Sequence, residues 1–318
     1  SLDFFVAVDM YITETSRHAD LILPPVSHLE REEFDFLFPV FSVRNHARFN
    51  ARVFEPAADA LEDWQIMSRL ILEVVPVPVR SRITRPLRAL VDRLSPVRIG
   101  ALGVLTGPHG VFRRGRRGLT LGRIRRAPGG IDLGPLEPRL RSLVATRDRR
   151  VHVAPPEFLA ETRRLLAEDE KAVRDTEFDL RLIGRRHLRS NNSWLHNIPT
   201  MVKGRDRCTV LMHPDDAASR SLAPGQQVTV RSRIGSIVVP VEISDEIRVG
   251  TVAIPHGWGH GEKGVGWSTA AAHPGANVNL LHDPAVIDTF TGTAAVNATM
   301  VNVSAVDARS ADHATIMS

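Results

Sequence analysis

Cysteine is nearly missing from this 318-residue chain, where Cys208 stands alone. That excludes a disulfide framework and any cysteine-ligated cluster built by this chain itself. Cys208 sits beside a strand-like run and reads as a small apolar packing residue. Long apolar runs are missing too, none approaching the roughly 20 residues needed to cross a bilayer, so no membrane span is expected. No targeting segment is visible, which makes a cytoplasmic location the default expectation. The chain opens Ser1-Leu-Asp-Phe-Phe-Val-Ala-Val-Asp9, already inside a strand-like run and without a methionine. It therefore reads as a fragment, and a missing start would hide any leader. Lysine is missing between Arg80 and Arg150, where eighteen Arg face four acids, Asp92, Asp132, Glu137 and Asp148. That segment carries +14 against +5 for the whole chain, so the remainder carries about −9 and one stretch sets the basic pI of 10.2. It lacks interleaved aromatics, having only Phe112, and is broken by Pro and Gly, which argues against nucleic acid as its partner. A solvated arginine-rich connection, or one folded against an acidic partner, fits better.

What is present is clearest at the far end. Glu177 to Ser304 reads as six short strands: Phe178–Ile183, Thr209–Met212, Gln227–Arg231, Ser236–Ile243, Thr251–Ile254 and Thr299–Ser304. Each is rich in β-branched residues, and turn residues such as Pro214-Asp-Asp216, Pro224-Gly225 and Val249-Gly250 separate them. Short strands this close, with edges to hide, favour a small closed barrel over an open sheet. Polar loops lie between them: Arg189 to Asn197, His256-Gly-Trp-Gly-His260, and Gly275-Ala-Asn-Val-Asn279. Such loops, held by a rigid scaffold, are where binding groups sit.

Toward the start, Leu2–Val8 reads as a continuous apolar strand of a parallel sheet covered on both faces. Ala19–Pro24 reads as a second buried strand, stopped by Pro24-Pro25. The carboxyl ends of such strands hold ligands, which offers Thr13, Glu14 and Thr15 as contacts; the same residues equally suit a helix cap. Arg44 and Arg48 are partners for Glu30 or for a phosphate. Asp59–Trp64 opens an amphipathic helix with Trp64, Met67, Leu70, Ile71 and Val74 on one face. From 76 to 151 the pattern loosens, and Arg80–Leu94 is the convincing helix there. Gly103–Gly107 and Gly115–Gly118 lack the GxxxxGK[ST] arrangement of a phosphate loop. Pro155–Leu166 starts a helix running to Lys171. His187, His196, His256, His260, His273 and His282 show no zinc-type spacing, so no metal site is assigned.

Two segments together resemble the C-terminal half of a molybdopterin-dependent oxidoreductase of the dimethyl-sulfoxide-reductase superfamily. The first is Asp9-Met-Tyr-Ile-Thr-Glu-Thr-Ser-Arg-His-Ala-Asp-Leu-Ile-Leu-Pro24 with Leu29-Glu30, similar to the family's TET…ADLVLP…E signature. The second comprises His213-Pro-Asp-Asp-Ala217, Ser232-Arg-Ile-Gly235, Val239-Pro-Val-Glu242, Pro255-His-Gly-Trp258, Ala276-Asn-Val-Asn-Leu-Leu281 and Asp288-Thr-Phe-Thr-Gly292. The resemblance implies an α/β dinucleotide-fold portion plus a C-terminal double-psi β-barrel. It divides the chain into 1–75, a partial Rossmann-like α/β domain; 76–176, an Arg/Pro-rich connection with helices; 177–306, the molybdopterin-dinucleotide-binding barrel; and 307–318, a tail.

The implied cofactor is molybdenum bis(molybdopterin guanine dinucleotide), with an iron–sulfur cluster only where the N-terminal half is present. Pterin and guanine edges are rows of donors and acceptors, which amide side chains can match on both counts. Asn191, Asn192, Ser193, His196 and Asn197 supply that set on one loop, and Asn277 and Asn279 on another, with Asp283 nearby. Arg185 is placed to grip pyrophosphate, His256 and Gly257 to approach the cofactor's backbone, and Thr13 and Thr15 complete the set. No catalytic residue is assigned, because the family's metal ligand lies in its N-terminal half. The implied partners are that half, a small-molecule substrate and an electron-transfer partner. The alternative is a non-catalytic cofactor-binding or scaffolding module.

Overall fold

The structure is a computed structural model that describes residues 2–35, 37–74, 94–171 and 176–306, with the backbone alone for 168–171. The chain clusters into two compact units: Ser1–Met10 with Ala19–Pro155, and Tyr11–His18 with Pro156–Ser318. The helix expected over Arg80–Leu94 and the tail at 307–318 lie outside the described residues, apart from Leu94, which is not helical.

The second unit holds a closed six-stranded barrel. Its strands are β7 (Leu180–Arg185), β8 (Val210–Met212), β9 (Gln227–Arg231), β10 (Ser236–Ile243), β11 (Thr251–Pro255) and β12 (Thr299–Ala305). Round the barrel the order is β10-β8-β11-β7-β12-β9. β7 runs parallel to β11 and β8 parallel to β10, while the remaining neighbours are antiparallel. Alternation explains the closure: Leu180 and Leu182, Val228 and Val230, Ile237, Val239 and Val241, Val301 and Val303 all point inward and are buried. β11 is different, with Val252 through Pro255 buried on both faces. The six expected strands are all found, with ends displaced by no more than two residues. The helix Pro156–Lys171 precedes the barrel, as its periodicity predicts.

The first unit is built from smaller pieces. β1 (Val6–Ala7) pairs in parallel with β2 (Leu21–Ile22). The pair is far shorter than the predicted runs, because Asp20 takes the Phe5 N–H at 2.7 Å and Pro24 and Pro25 offer no donor. Nor is it covered on both faces: Val6, Ala7 and Ile22 are only half-buried and Leu21 is exposed. β3 (Glu33–Phe34) pairs with β5 (Phe49–Asn50), and β4 (Arg44–Ala47) pairs antiparallel with β6 (Ile131–Pro135) through an irregularity at Asn45/His46. Ala47, Phe49, Leu119 and Ile124 form the local core. The stretch that reads as a connection thus supplies a strand and half of that core. Arg44 pairs with Asp132 at 2.6 Å instead of Glu30, whose carboxylate accepts from the Ser27 N–H. The helix Asp63–Val74 buries Ile66, while Met67, Leu70, Ile71 and Val74 on its predicted apolar face are exposed.

Candidate functional site

At one end of the barrel three loops meet so closely that only glycine fits at the crossings. β7 feeds residues 186–198, β11 feeds 256–267, and the third loop is 273–282. Gly257 has φ +88°, and a Cβ there would lie 2.5 Å from the Asn192 carbonyl oxygen. Gly259 has φ +117°, with a virtual Cβ 2.6 Å from the Asn277 Cβ. Gly275 (φ +58°) is pressed against Trp258 and Cys208. Both conditions, left-handed backbone and no space, exclude side chains at Gly257 and Gly259. Asn191 and Asn192 are themselves left-handed, at φ 44° and 63°, a conformation that asparagine tolerates better than most residues.

One crossing brings Asn192 and Ser193 to His256 and Gly257, and the other brings Asn277 to Gly259 on the same loop. Asn192 Oδ1 accepts from His256 Nε2 at 2.7 Å and from Arg186 Nη1 at 3.2 Å. Asn277 Oδ1 accepts from the Asn279 N–H and caps the short turn Val278–Leu281. The Nδ2 groups of Asn192 and Asn277, and the whole Asn191 amide, meet no partner among the described residues. Asn279 and Asp283 are exposed beside them, the latter accepting from the Ala285 N–H.

Other predicted residues are used internally. Asn197 Oδ1 accepts from the Thr269 and Ala270 N–H groups, capping the helix Ser268–Ala272. Thr13 exchanges hydrogen bonds with Ser16 at the turn Ser16–His18, as the capping alternative has it, while the Thr15 carbonyl accepts from the His18 N–H within the turn itself. Arg185 turns to the barrel's outside, where Nη2 reaches Thr209 at 2.8 Å and Glu242 at 2.9 Å. His196 is 1% exposed and lies face-on to Trp258, ring centroids 3.9 Å apart, beneath the loops.

Beneath those loops runs a buried polar chain. His196 Nδ1 meets His260 Nε2 at 2.8 Å, and His260 Nδ1 donates to the Glu14 carboxylate at 2.7 Å. With Nδ1 carrying the proton, a neutral His260 accepts from His196, so the carboxylate sets both tautomers. Burial, then the neighbouring His260, push the His196 pKa down to about 4, with only the Gly257 backbone and Glu14 acting the other way. Among the described residues, the Nε2 of His196 meets no group in hydrogen-bond geometry. Around this chain Tyr11 stacks on Trp267, Gly266 N–H donates to the Ile12 carbonyl, and Arg17 pairs with Glu262. Tyr11–His18 is thereby stitched to the barrel loops. The sequence gives no sign of this chain: Glu14 and His260 lie 246 positions apart, and neither belongs to a local motif of charge pairing. Among the described residues, no group of three His, Cys, Asp or Glu side chains is arranged to hold a metal ion.

Comparison with known proteins adds the decisive observation. The molydopterin dinucleotide binding domain model matches residues 180–300, the barrel and its three loops, and the molybdopterin oxidoreductase model matches 1–73. Together they take in more than half of the chain. This chain belongs to the molybdopterin oxidoreductases. Among relatives of that family, a putative catalytic subunit of dimethyl sulfoxide reductase from Halobacterium salinarum is 28% identical over 273 residues, covering 81% of this chain and 30% of the relative. The thiosulfate reductase molybdopterin-containing subunit of Salmonella typhimurium is 34% identical over 73 residues, 22% of this chain and 9% of the other. The dimethyl sulfoxide/trimethylamine N-oxide reductase of Rhodobacter capsulatus is 41% identical over 56 residues, 18% and 7%. The matched stretches span less than a third of each curated relative. The solved structure of acetylene hydratase from Pelobacter acetylenicus shares the fold, with TM-score 0.61, 18% identity, and coverage of 96% of this chain and 40% of that one. Among the described residues no helix is long and apolar enough to cross a membrane.

Proposed function

We propose that this chain holds the guanine dinucleotide form of the pterin cofactor for a molybdopterin-dependent oxidoreductase. In this reading its barrel is of the double-psi kind, and residues 1–73 are part of a dinucleotide-type α/β domain. The bound cofactor supplies a molybdenum centre for two-electron chemistry. The chain's own residues supply recognition. The observation that carries the reading is the glycine-only crossing of three loops, which brings backbone close to a surface where the Nδ2 groups of Asn192 and Asn277 meet no partner among the described residues. A planar heterocycle with alternating donors and acceptors suits such a surface, because each amide offers two donors on one nitrogen. Ser193, His256 and Gly257 lie in the same crossing. Asn191 and Asn279 stand at its rim. His196 and Asn197 act from beneath, as packed and capping groups that hold the loop, and Arg185 is committed to Glu242. Substrate, electron partner and any iron–sulfur cluster belong to the whole protein, since Cys208 is buried, single, and its thiol is pushed up by burial.

The test is the double variant Asn192→Ala/Asn277→Ala in the full-length protein, with pterin measured by fluorescence after oxidation and molybdenum by mass spectrometry. A several-fold drop in both, at an unchanged melting temperature, is expected. Wild-type pterin and metal content would remove these amides from the site.

A further inference from the structure

On the outside of the barrel, beside Arg185, a groove of about 510 Å³ is lined by more guanidinium groups than its acids can neutralise. Arg185, Arg186, His187, Arg205, Arg207 and Thr209 face it, against two carboxylates, Asp206 and Glu242. With His187 neutral, the four arginines leave an excess of two positive charges. The carboxylate of Glu242 is already spent: it accepts from Arg185 and from the Thr209 hydroxyl, both on one oxygen, at 2.9 and 2.8 Å. Burial opposes its ionisation, yet the bonds from Arg185 and Thr209 hold its pKa below the usual value. Arg207 is tied to the carbonyls of Met201, Val202 and Lys203, and Arg186 uses Nη1 on Asn192. The guanidinium of Arg205 has no ion pair or hydrogen bond among the described residues, and the Nε of Arg185 is buried with no partner. The field in the groove is felt by His187, whose pKa is lowered by burial and then by Arg207, Arg185, Arg189 and Arg205.

An uncompensated charge of two in a concave site, offered by planar donors with fork geometry, matches one tetrahedral dianion. We infer that this groove binds a phosphate dianion, free or esterified through a single oxygen, with Arg205 and Arg186 as its principal ligands. Concavity separates it from the exposed Arg113, Arg114, Arg116 and Arg117. The groove adjoins the surface of the cofactor reading, because Arg186 Nη1 bonds Asn192 Oδ1 and Arg185 was expected to meet pyrophosphate; Arg205 has no part in that reading, so its substitution separates the two.

Isothermal titration of the purified full-length protein at low ionic strength decides it, with inorganic phosphate and a simple phosphate monoester as the two probes and chloride as the reference anion. Saturable binding of one equivalent is expected, lost about tenfold in affinity on Arg205→Gln and again on Arg186→Gln. Binding of both probes identifies an open site that takes esters, and binding of inorganic phosphate alone identifies a closed one; either supports the assignment. Phosphate heats no larger than those of chloride would overturn it, as would binding that survives both substitutions. Arg205 is exposed and ion-pair-free, so Arg205→Gln is expected to fold normally, which the melting temperature checks. The control Asn277→Ala should leave phosphate binding untouched. A fall in pterin content on Arg205→Gln, with no phosphate binding in the wild type, would instead hand the groove to the cofactor and end the proposal.

Discussion

The two compact units spend apolar residues in opposite ways. In the barrel, alternation puts most of the valines and isoleucines of six strands into one closed core, and the exterior carries arginine, glutamate and threonine, with Ile183 and Val238 among them. In the other unit the core is four residues deep, while Phe38, Phe41 and Val43 stand 68%, 81% and 89% exposed. A barrel has no edge, so each strand finds two neighbours of its own; two-residue strands do not bury enough surface to enclose a core. The same chain therefore contains a self-sufficient scaffold and a region whose apolar surface exceeds what it can fold inward.

The sharpest way to test that contrast is to cut into each core in turn. Leu182 is wholly buried in β7, so Leu182→Ala should cost about 3–4 kcal/mol through lost burial and a residual cavity. Ile124 is equally buried but sits among half-covered neighbours that can settle inward, and Ile124→Ala should cost nearer 2 kcal/mol. Urea unfolding of both variants measures the difference. Equal losses would show that the smaller core is as tightly packed as the barrel. Next in size is Gly257→Ala, where a left-handed backbone coincides with a Cβ contact of 2.5 Å on the Asn192 carbonyl. About 3 kcal/mol is expected there. Gly134→Ala in the other unit has φ +103° but open space around it, and should cost only about 1 kcal/mol.

These cases also show how far residues alone could lead. The six strands and their inward positions were legible because a period of two is written directly into Val228, Val230, Ile237, Val239 and Val241. Polar loops at one end were legible for the same reason, since strand ends fix where loops emerge. The pairing of Asn192 with His256, and the tautomer chain from Glu14 through His260 to His196, depend on which loops cross, and composition carries no record of crossing. Arg185 was legible only in part. Its charge suggested an anion, but Glu242 lies 57 positions away and reaches it only because β8 and β10 bring Thr209 and Glu242 to the same face. In the short parallel strands near the start, apolar content does not mean burial; Asp20 and the prolines that follow cut the ladder short.

The buried His196 sharpens the contrast by pH. Its pKa falls from the ordinary 6.5 to about 4 in the fold, so between those values the unfolded chain binds the proton more readily. Stability linked to this group is complete above about pH 6.5 and is lost as pH falls toward 4, on the order of 3 kcal/mol. His196→Asn should flatten that slope between pH 7 and 4, with urea midpoints as the measure. An unchanged slope would assign the acid sensitivity to carboxylates elsewhere.

The smallest effect belongs to the first unit and has the opposite sign. Gly103 lies inside the helix Pro96–Thr106, with nothing within 4 Å of where its Cβ would stand. Gly103→Ala removes unfolded-state freedom and restores helix propensity, so a gain of about 0.5–1 kcal/mol is expected. The substituted methyl would also enter the apolar cavity of about 460 Å³ that Gly103 shares with Ile99, Val104 and Leu133. A gain in urea midpoint means that the cavity wall tolerates filling. A loss would mean that this helix face must stay bare. The barrel's loop crossings offer no counterpart: Gly257, Gly259 and Gly275 combine a positive φ with a Cβ contact under 3 Å, so the gain open to Gly103 is closed to them.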